Sequence, residues 1–292
     1  MTEEFSLESA AALFPKRKED AHKGLFGRAV LIGGSVEYSG AAKLAAMACS
    51  ALRSGAGLCT LCVPKEVVGG VLPFVLENTI CPLPSQDGHL VFNVLSLQKA
   101  ISGATAVAFG MGVGIHEGNA QILDYLLHNF SGRLILDADA LNTLAKHMEL
   151  LNNVTAQVII TPHYMEFSRL SGKTIDEIKE NPANLAGEFA KRYRITVLLK
   201  GNVTYISDCV KTVCVKRGSP GMAKGGSGDV LSGIIAGIAA HAKSDALSIA
   251  ATGATIAGIA GELATAKLGE YSMLASDEVK EIPAAILGLS GC

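Results

Sequence analysis

Short, nearly unbroken apolar runs alternate along this chain with longer segments in which small and apolar residues recur at helical spacing. The runs are RAVLIGG (28–34), LCTLCV (58–63), ATAVAFG (104–110), RLILDAD (133–139), QVIITP (157–162) and ITVLLKG (195–201). Their length and their wealth of Val, Ile and Leu predict strands buried on both faces, as in a parallel sheet. Between them, SGAAKLAAMACSALRSG (39–55), 118–130, 140–146 and 184–193 predict helices, and a further helix is expected after Pro64. A short amphipathic helix is expected over 7–14, stopped at Pro15. VTYIS (203–207) and VKTVCVK (210–216) predict a hairpin across Asp208-Cys209. Helices at about 228–241, 245–267 and 276–287 close the chain. Strand followed by helix, repeated, implies an α/β fold with a mostly parallel central sheet covered on both faces. There is no internal repeat, low-complexity tract or linker, so residues 1–292 are expected to form one domain.

In such sheets ligands bind beyond the carboxyl ends of the strands. The segments that follow the predicted strands are Gly33-Gly34-Ser35, Gly110-Met111-Gly112-Val113-Gly114, Asp137-Ala138-Asp139, Thr161-Pro162-His163 and Lys200-Gly201-Asn202. Polar residues and glycines therefore collect at one rim, while the strand interiors are apolar. GMGVG is G-x-G-x-G and lacks the spacing of a dinucleotide fingerprint, since Ile115 stands where the last glycine should be. Its glycines suit close backbone approach to a ligand or a tight strand-to-helix turn. Asp137 and Asp139 suit ribose or metal contact, or capping of the helix that follows. For His163, with Glu166 three residues on, ligand contact at the rim is favoured over a surface or capping role.

The strongest local signal is GSPGMAKGGSGDV (218–230), which leads into an apolar helix. Gly225, Gly226, Ser227 and Gly228 let successive N–H groups converge where a helix begins, so free N–H groups and the positive end of the helix dipole share one point. That arrangement is an anion hole, and no Walker A loop occurs in the chain. Asp229 falls in the first helical turn. A carboxylate beside a phosphate site repels phosphate unless it has a task, and taking the proton from an alcohol that attacks phosphorus is such a task.

Composition narrows the setting. Of 292 residues, 49% are hydrophobic and 18% charged, with a net charge of −2, so the chain is globular and carries no basic stripe for nucleic acid. The longest apolar stretch, around 230–242, is too short to span a bilayer, and the N-terminus has no basic-then-apolar leader pattern; a cytoplasmic protein without a membrane partner is expected. Cys59-Thr-Leu-Cys62 matches C-x-x-C, but residues three apart on a strand point to opposite faces and no second C-x-x-C exists. Cys59 and Cys62 read as buried structural thiols.

Taken in order, FGRAVLIGGS…SGAAKLAA, GMGVG, LILDADALN, TPHYMEFSRL, VLLKGNVT and GSPGMAKGGSGDVLSGIIAGI resemble the NAD(P)H-hydrate dehydratase family over about 23–287. The resemblance implies a ribokinase-like three-layer sandwich. It implies a substrate, NADH or NADPH hydrated at C6 of the nicotinamide ring, whose hydroxyl is phosphorylated by a nucleotide and then leaves as phosphate. By position, Asp229 resembles the catalytic base, which also contacts the hydrate. Ala41, Gly112 and His163 match positions lining the hydrate site. Lys200, Gly201, Asn202, Val203 and Thr204 match the nucleotide loop, and Gly228 the glycine at the nucleotide phosphates. Magnesium is implied with the nucleotide, although no metal-ligand cluster shows in the sequence, and the histidine of T-P-H favours ADP over ATP. Long members of the family carry an N-terminal epimerase domain. Only about two dozen residues precede the match, so that domain is expected to be absent and a separate epimerase to be the functional companion. The small-residue helix near 245–267 could pack within the fold or against a second subunit, and a homo-oligomer is expected.

Departures from the family pattern are Tyr164-Met165 in place of Pro-Gly, Gly218-Ser219-Pro220 in place of Gly-Asn-Pro, and GMGVG in place of G-P-G-L-G. None removes a group the chemistry needs. Two rival readings remain: a thiazole or hydroxymethylpyrimidine kinase sharing G-x-G-D, and a non-catalytic nucleotide sensor, which would have no use for Asp229.

Overall fold

The computed structural model describes residues 2–49 and 51–289. Its strands are Glu3–Glu4 (β1), Arg28–Ile32 (β2), Leu58–Pro64 (β3), Thr79–Leu83 (β4), Ser85–Gln86 (β5), His89–Leu90 (β6), Ala106–Phe109 (β7), Arg133–Leu136 (β8), Gln157–Ile160 (β9), Thr196–Leu199 (β10), Thr204–Ser207 (β11) and Thr212–Val215 (β12). Ten of these form one sheet in the order β1-β12-β11-β10-β9-β8-β7-β2-β3-β4, and β5 and β6 make a small hairpin. Every pairing in the large sheet is parallel except those of β11, which runs against both β10 and β12. The hairpin at 203–216 is thus present, and it inserts the one reversed strand.

The six apolar runs became β2, β3 and β7 to β10, with interiors almost fully buried. Alternate residues feed two cores, one on each face of the sheet. Ala29, Leu31, Leu61, Ala106 and Ile135 belong to one, and Val30, Ile32, Cys62, Val107 and Leu134 to the other. Each fully buried Leu or Ile contributes about 1.5–3 kcal/mol. Helices Ser39–Cys49, Ser227–His241, Ala246–Leu268 and Ala275–Leu289 cover the first face; Val94–Ile101, Gly118–Asn129, Asp139–Leu144, Tyr164–Ser171 and Pro182–Tyr193 cover the second. The opposite faces of Cys59 and Cys62 follow the same alternation, Cys59 lying in the first core and Cys62 in the second.

Helix Ser227–His241 is the spine of the first face, and its residues 230–240 are all buried. Gly233 and Gly237 let it lie directly on the neighbouring backbone. A Cβ on Gly233 would collide with the Ala45 carbonyl, and one on Gly237 would stand 2.6 Å from Ser54 Cβ.

Several expectations need adjusting. The N-terminal helix is shorter, Leu7–Ala11, capped by the Ser6 side chain. After Pro64 the chain makes a 3-10 turn, Lys65–Val67, one α-turn, Val68–Val71, and a second 3-10 turn, Leu72–Phe74, because Gly69, Gly70 and Pro73 do not sustain a regular helix. The longest apolar helix is Ala246–Leu268 and not the stretch near 230–242. By length and composition it could cross a membrane, but most of it is buried inside this fold. It packs largely within the chain.

Candidate active site

The carboxyl ends of β7 to β10 converge on one point with the start of helix Ser227–His241. β8 ends at Leu136, and the next residue, Asp137, is 1% exposed. Its Oδ1 accepts from Lys200 Nζ at 3.0 Å and its Oδ2 from Ser232 Oγ at 2.7 Å. Lys200 follows β10, and its backbone N–H donates to Pro162 O at 2.8 Å, while a parallel bridge joins it to His163. One side chain and one backbone bond thereby tie the T-P-H loop, the K-G-N-V-T loop and the D-A-D turn together. Burial alone would lower the Lys200 pKa, but Asp137, Glu166 and Asp229 raise it on balance, so the lysine is cationic.

Of the two aspartates at this turn, neither caps the helix. Asp137 holds Lys200 and Ser232. Asp139 opens helix Asp139–Leu144, and its Oδ2 accepts from Gly114 N at 2.9 Å, fastening the GMGVG loop. That loop uses its glycines for the protein itself. Gly112 (φ +67°) sits where a Cβ would stand 2.7 Å from Tyr38 and 3.0 Å from Ala41 Cβ. The contact places Gly112 against Ala41.

The 225–228 loop is different. Gly226 (φ +107°) precedes helix Ser227–His241, and no side chain caps the first turn. Gly225 has no positive φ, and an added Cβ would meet nothing within 4 Å, so no protein contact demands a glycine there. A Cβ on Gly228 would face Lys200 Nζ at 3.4 Å and Asp137 Oδ2 at 3.8 Å. Gly226 is demanded by packing, since a Cβ there would stand 2.8 Å from both Ala275 Cβ and Leu44 Cδ1. The uncapped N–H groups, the helix dipole and the Lys200 ammonium meet at this turn, a combination that attracts an anion.

Asp229 lies in that first turn. Burial, the neighbouring charge of Asp137 and that of Asp139 push its carboxyl up to about 7, against the downward pull of Lys200. An acid balanced near neutrality is suited to accept a proton from a substrate alcohol. Ser232, three residues on, lies on the same helical side and holds Asp137. Its spacing from Asp229 was the sequence signal that could have found it.

His163 caps helix Tyr164–Ser171 in a reciprocal box: its Nδ1 accepts from Glu166 N at 3.1 Å, and Glu166 Oε2 accepts from His163 N at 2.9 Å. The capping role is therefore real, and the Tyr164-Met165 replacement leaves the helix start intact. The imidazole is still half exposed at the rim. Burial and Lys200 keep its pKa below the usual value, and burial raises that of Glu166. In the K-G-N-V-T loop, a Cβ on Gly201 would stand 2.7 Å from Tyr164 Oη, Asn202 and Val203 form the bend, and Thr204 opens β11.

Sequence reasoning missed Glu278. It is fully buried on helix Ala275–Leu289, and its Oε1 accepts from Ser227 Oγ at 2.5 Å. Burial, offset by Ser227 and Lys224, brings its carboxyl up to about 7. Glu278→Ala is expected to free Ser227, loosen the loop and weaken anion binding there about tenfold, the worth of one buried hydrogen bond. Glu278→Gln, which can still accept, should stay within about threefold of the parent. Calorimetric titration of both variants with inorganic pyrophosphate tests this; equal affinities for Ala and the parent would remove Glu278 from the site.

Among the described residues no cluster of three His, Cys, Asp or Glu side chains could hold a metal. A magnesium ion held together with bound phosphates asks for less, one or two carboxylates with water; both oxygens of Asp137 are taken by Lys200 and Ser232, so Asp229 is the carboxylate beside the loop that fits that demand. Two cavities of about 800 and 500 Å³ lie at the other end of the sheet, around His241 and Arg133. The site is therefore assigned on its chemistry and not on enclosed volume.

Comparison with known proteins places nearly the whole chain in one family. The family model described as NAD(P)H-hydrate dehydratase matches residues 29–284. The ADP-dependent (S)-NAD(P)H-hydrate dehydratase of Nitrosopumilus maritimus is 37% identical over 272 residues, covering 92% of this chain and 91% of that protein. The bifunctional NAD(P)H-hydrate repair enzyme of Moorella thermoacetica is 36% identical over 278 residues, covering 94% of this chain but 52% of its own length. The chain thus spans about half the length of the bifunctional relatives it matches. The crystal structure of the ADP/ATP-dependent NAD(P)H-hydrate dehydratase of Bacillus subtilis, co-crystallised with ATP and Mg²⁺, superimposes with a TM-score of 0.83 at 27% identity, covering 99% of both chains.

Proposed function

Because the chain belongs to the NAD(P)H-hydrate dehydratase family, with the ribokinase-like fold that goes with it, we propose that it converts the (6S) hydrate of NADH or NADPH back to the reduced dinucleotide at the expense of ADP. The observation that carries this reading is Asp229: a carboxyl brought up to about 7, in the first turn of an uncapped, glycine-led helix beside the partly buried Lys200.

The ionised Asp229 takes the proton of the C6 hydroxyl. The oxygen attacks the terminal phosphorus of ADP and AMP departs. The N–H groups of Gly225, Gly226, Ser227 and Gly228, with Lys200, receive the negative charge of the transferring phosphoryl group. Phosphate is a far better leaving group than hydroxide. The ring nitrogen lone pair expels it, and loss of a proton from the adjacent carbon restores the double bond. The sum is hydrate plus ADP giving reduced dinucleotide, AMP and phosphate, with the hydroxyl oxygen retained in phosphate. Asp229 would also be the residue to hold a magnesium ion, which would offset the charge of the phosphates. Ala41, Gly112 and His163 line the hydrate side, and Lys200 with residues 201–204 the nucleotide side.

The base must be ionised to act, and its pKa lies above the ordinary carboxylate value. Activity is therefore low below pH 6, and kcat/KM is expected to rise through about pH 7 and level off above it. A flat profile from pH 5 to 9 would contradict the assignment.

The same reading covers its surroundings. The protein acts in the cytoplasm, as one catalytic domain, with an epimerase that interconverts the hydrate epimers as companion. Exposed Leu72, Phe74 and Leu76, in the connection between β3 and β4, support assembly into a homo-oligomer. The deciding experiment mixes purified protein, NADH hydrate and magnesium with ADP or ATP and follows the return of reduced-nicotinamide absorbance. Nucleotide-dependent recovery supports the proposal, and the faster nucleotide identifies the donor. No recovery from protein that still binds ADP, with phosphorylation of a hydroxymethyl heterocycle instead, overturns it in favour of a small-alcohol kinase.

A further inference from the structure

Two thiol pairs lie on opposite faces of β3, and only one of them is placed to react. Cys62 of β3 and Cys81 of β4 are direct partners in the parallel register. Neighbouring strands run about 4.7–4.9 Å apart, inside the Cα separation of about 4.4–6.8 Å that a disulfide spans. Both side chains fall on the second-core side of the sheet. Cys62 is completely buried, Cys81 is partly open, and β4 is the sheet's outermost strand, free on one side to make the small shift that closes an S–S bond.

We propose that Cys81 and Cys62 form a dithiol that hydroperoxides oxidise reversibly to a disulfide, stapling the edge strand β4 to β3. In the first step the Cys81 thiolate attacks one peroxide oxygen, the O–O bond breaks and hydroxide leaves, giving a sulfenic acid. In the second, the Cys62 sulfur attacks the Cys81 sulfur, loses its proton and displaces the hydroxyl as water. Two thiols lose two electrons, and one hydrogen peroxide becomes two waters. An external dithiol reverses the change by exchange.

The surroundings favour Cys81 as the attacking sulfur. Interaction with the Cys62 thiol, then the charges of Arg28 and Lys99, bring Cys81 down to about 6 against the effect of burial. Cys62 is held well above its usual value by Cys81 and by burial, as befits the resolving partner. Arg28 is fixed on β2 by its bonds to Thr60 Oγ1 and Ala100 O, and Lys99 sits on the Val94–Ile101 helix over the same face. The other pair is the internal contrast. Cys49 and Cys59 also interact, but they are 0% and 5% exposed, and Cys49 is raised by Cys59 and burial with no cation to offset it.

The test uses the full chain with Cys209 and Cys292 changed to Ser. The protein is treated with equimolar hydrogen peroxide, free thiols are blocked with N-ethylmaleimide, and the digest is examined by mass spectrometry. The expected product is a Cys62–Cys81 cross-linked peptide that dithiothreitol removes, with Cys49 and Cys59 still thiols. In Cys62→Ser, Cys81 should stop at the sulfenic acid and be trapped by dimedone; in Cys81→Ser, Cys62 should not react. Should either variant fail to fold, the parent protein decides alone, through iodoacetamide labelling of Cys81 at least tenfold faster than of Cys49 or Cys59. No Cys62–Cys81 peptide, a Cys49–Cys59 peptide instead, or equal labelling of the four thiols would overturn the proposal.

Discussion

Asp229→Asn is expected to slow turnover about a thousandfold while nucleotide still binds, the loss typical of removing a general base. Asparagine keeps the size of the side chain and leaves the backbone N–H groups of residues 225–228 untouched, so the anion site persists. What it cannot do is take the proton of the attacking hydroxyl. Single-turnover recovery of reduced-nicotinamide absorbance, with ADP affinity measured by calorimetry, separates the two effects. A second consequence concerns stability. Asp229 has a folded pKa above its unfolded one, so its contribution is fully favourable below about pH 4 and is lost as pH rises through about 7. Thermal melting at pH 8 should therefore show the Asn variant as stable as the parent or more so. Near-normal turnover in this variant would place the base elsewhere.

Lys200→Met has the largest expected effect on the fold of the site. Asp137 is 1% exposed, and one of its oxygens would lose its only cation. Removing one partner of a buried pair costs about 3–5 kcal/mol because the other charge stays behind, and the melting temperature should fall by about 10 °C. The double variant Lys200→Met, Asp137→Asn should recover much of that loss, since no charge is then stranded. Lys200 also pulls the Asp229 pKa down, so the rising limb of any residual pH–rate profile should move to higher pH. If the single variant melts with the parent, the pair is not what holds the rim together.

What the sequence shows is what short-range pattern can carry. The six apolar runs became strands because each is buried on both faces, and that environment writes itself as uninterrupted Val, Ile and Leu. The glycines at 225–228 and Asp229 are adjacent in the chain, so the uncapped helix start and its carboxyl could be read together. The Asp137–Lys200 bond joins residues 63 apart, and the Ser227–Glu278 bond residues 51 apart. Nothing local announces either one. β4, TICPL, carries a proline and sits at an edge, where burial is one-sided, and β1 is two glutamates whose pairing comes from β12 alone. His163 shows a different kind of loss. The His-x-x-Glu spacing was visible, but a capping box and a ligand contact use the same residues, and only the backbone geometry tells that the first is made.

The direct contact of helix Ser227–His241 with its neighbour limits how this protein can be engineered. Replacing a helical glycine by alanine is a standard route to a more heat-tolerant enzyme, because it restricts the unfolded chain. At Gly233 and Gly237 the added methyl would strike the Ala45 carbonyl and Ser54 instead. The spine would have to lift away, carrying with it the glycine turn and Asp229 at its start. Libraries aimed at thermal tolerance should leave this helix alone and begin at Gly69 and Gly70, where an added methyl meets nothing within 4 Å.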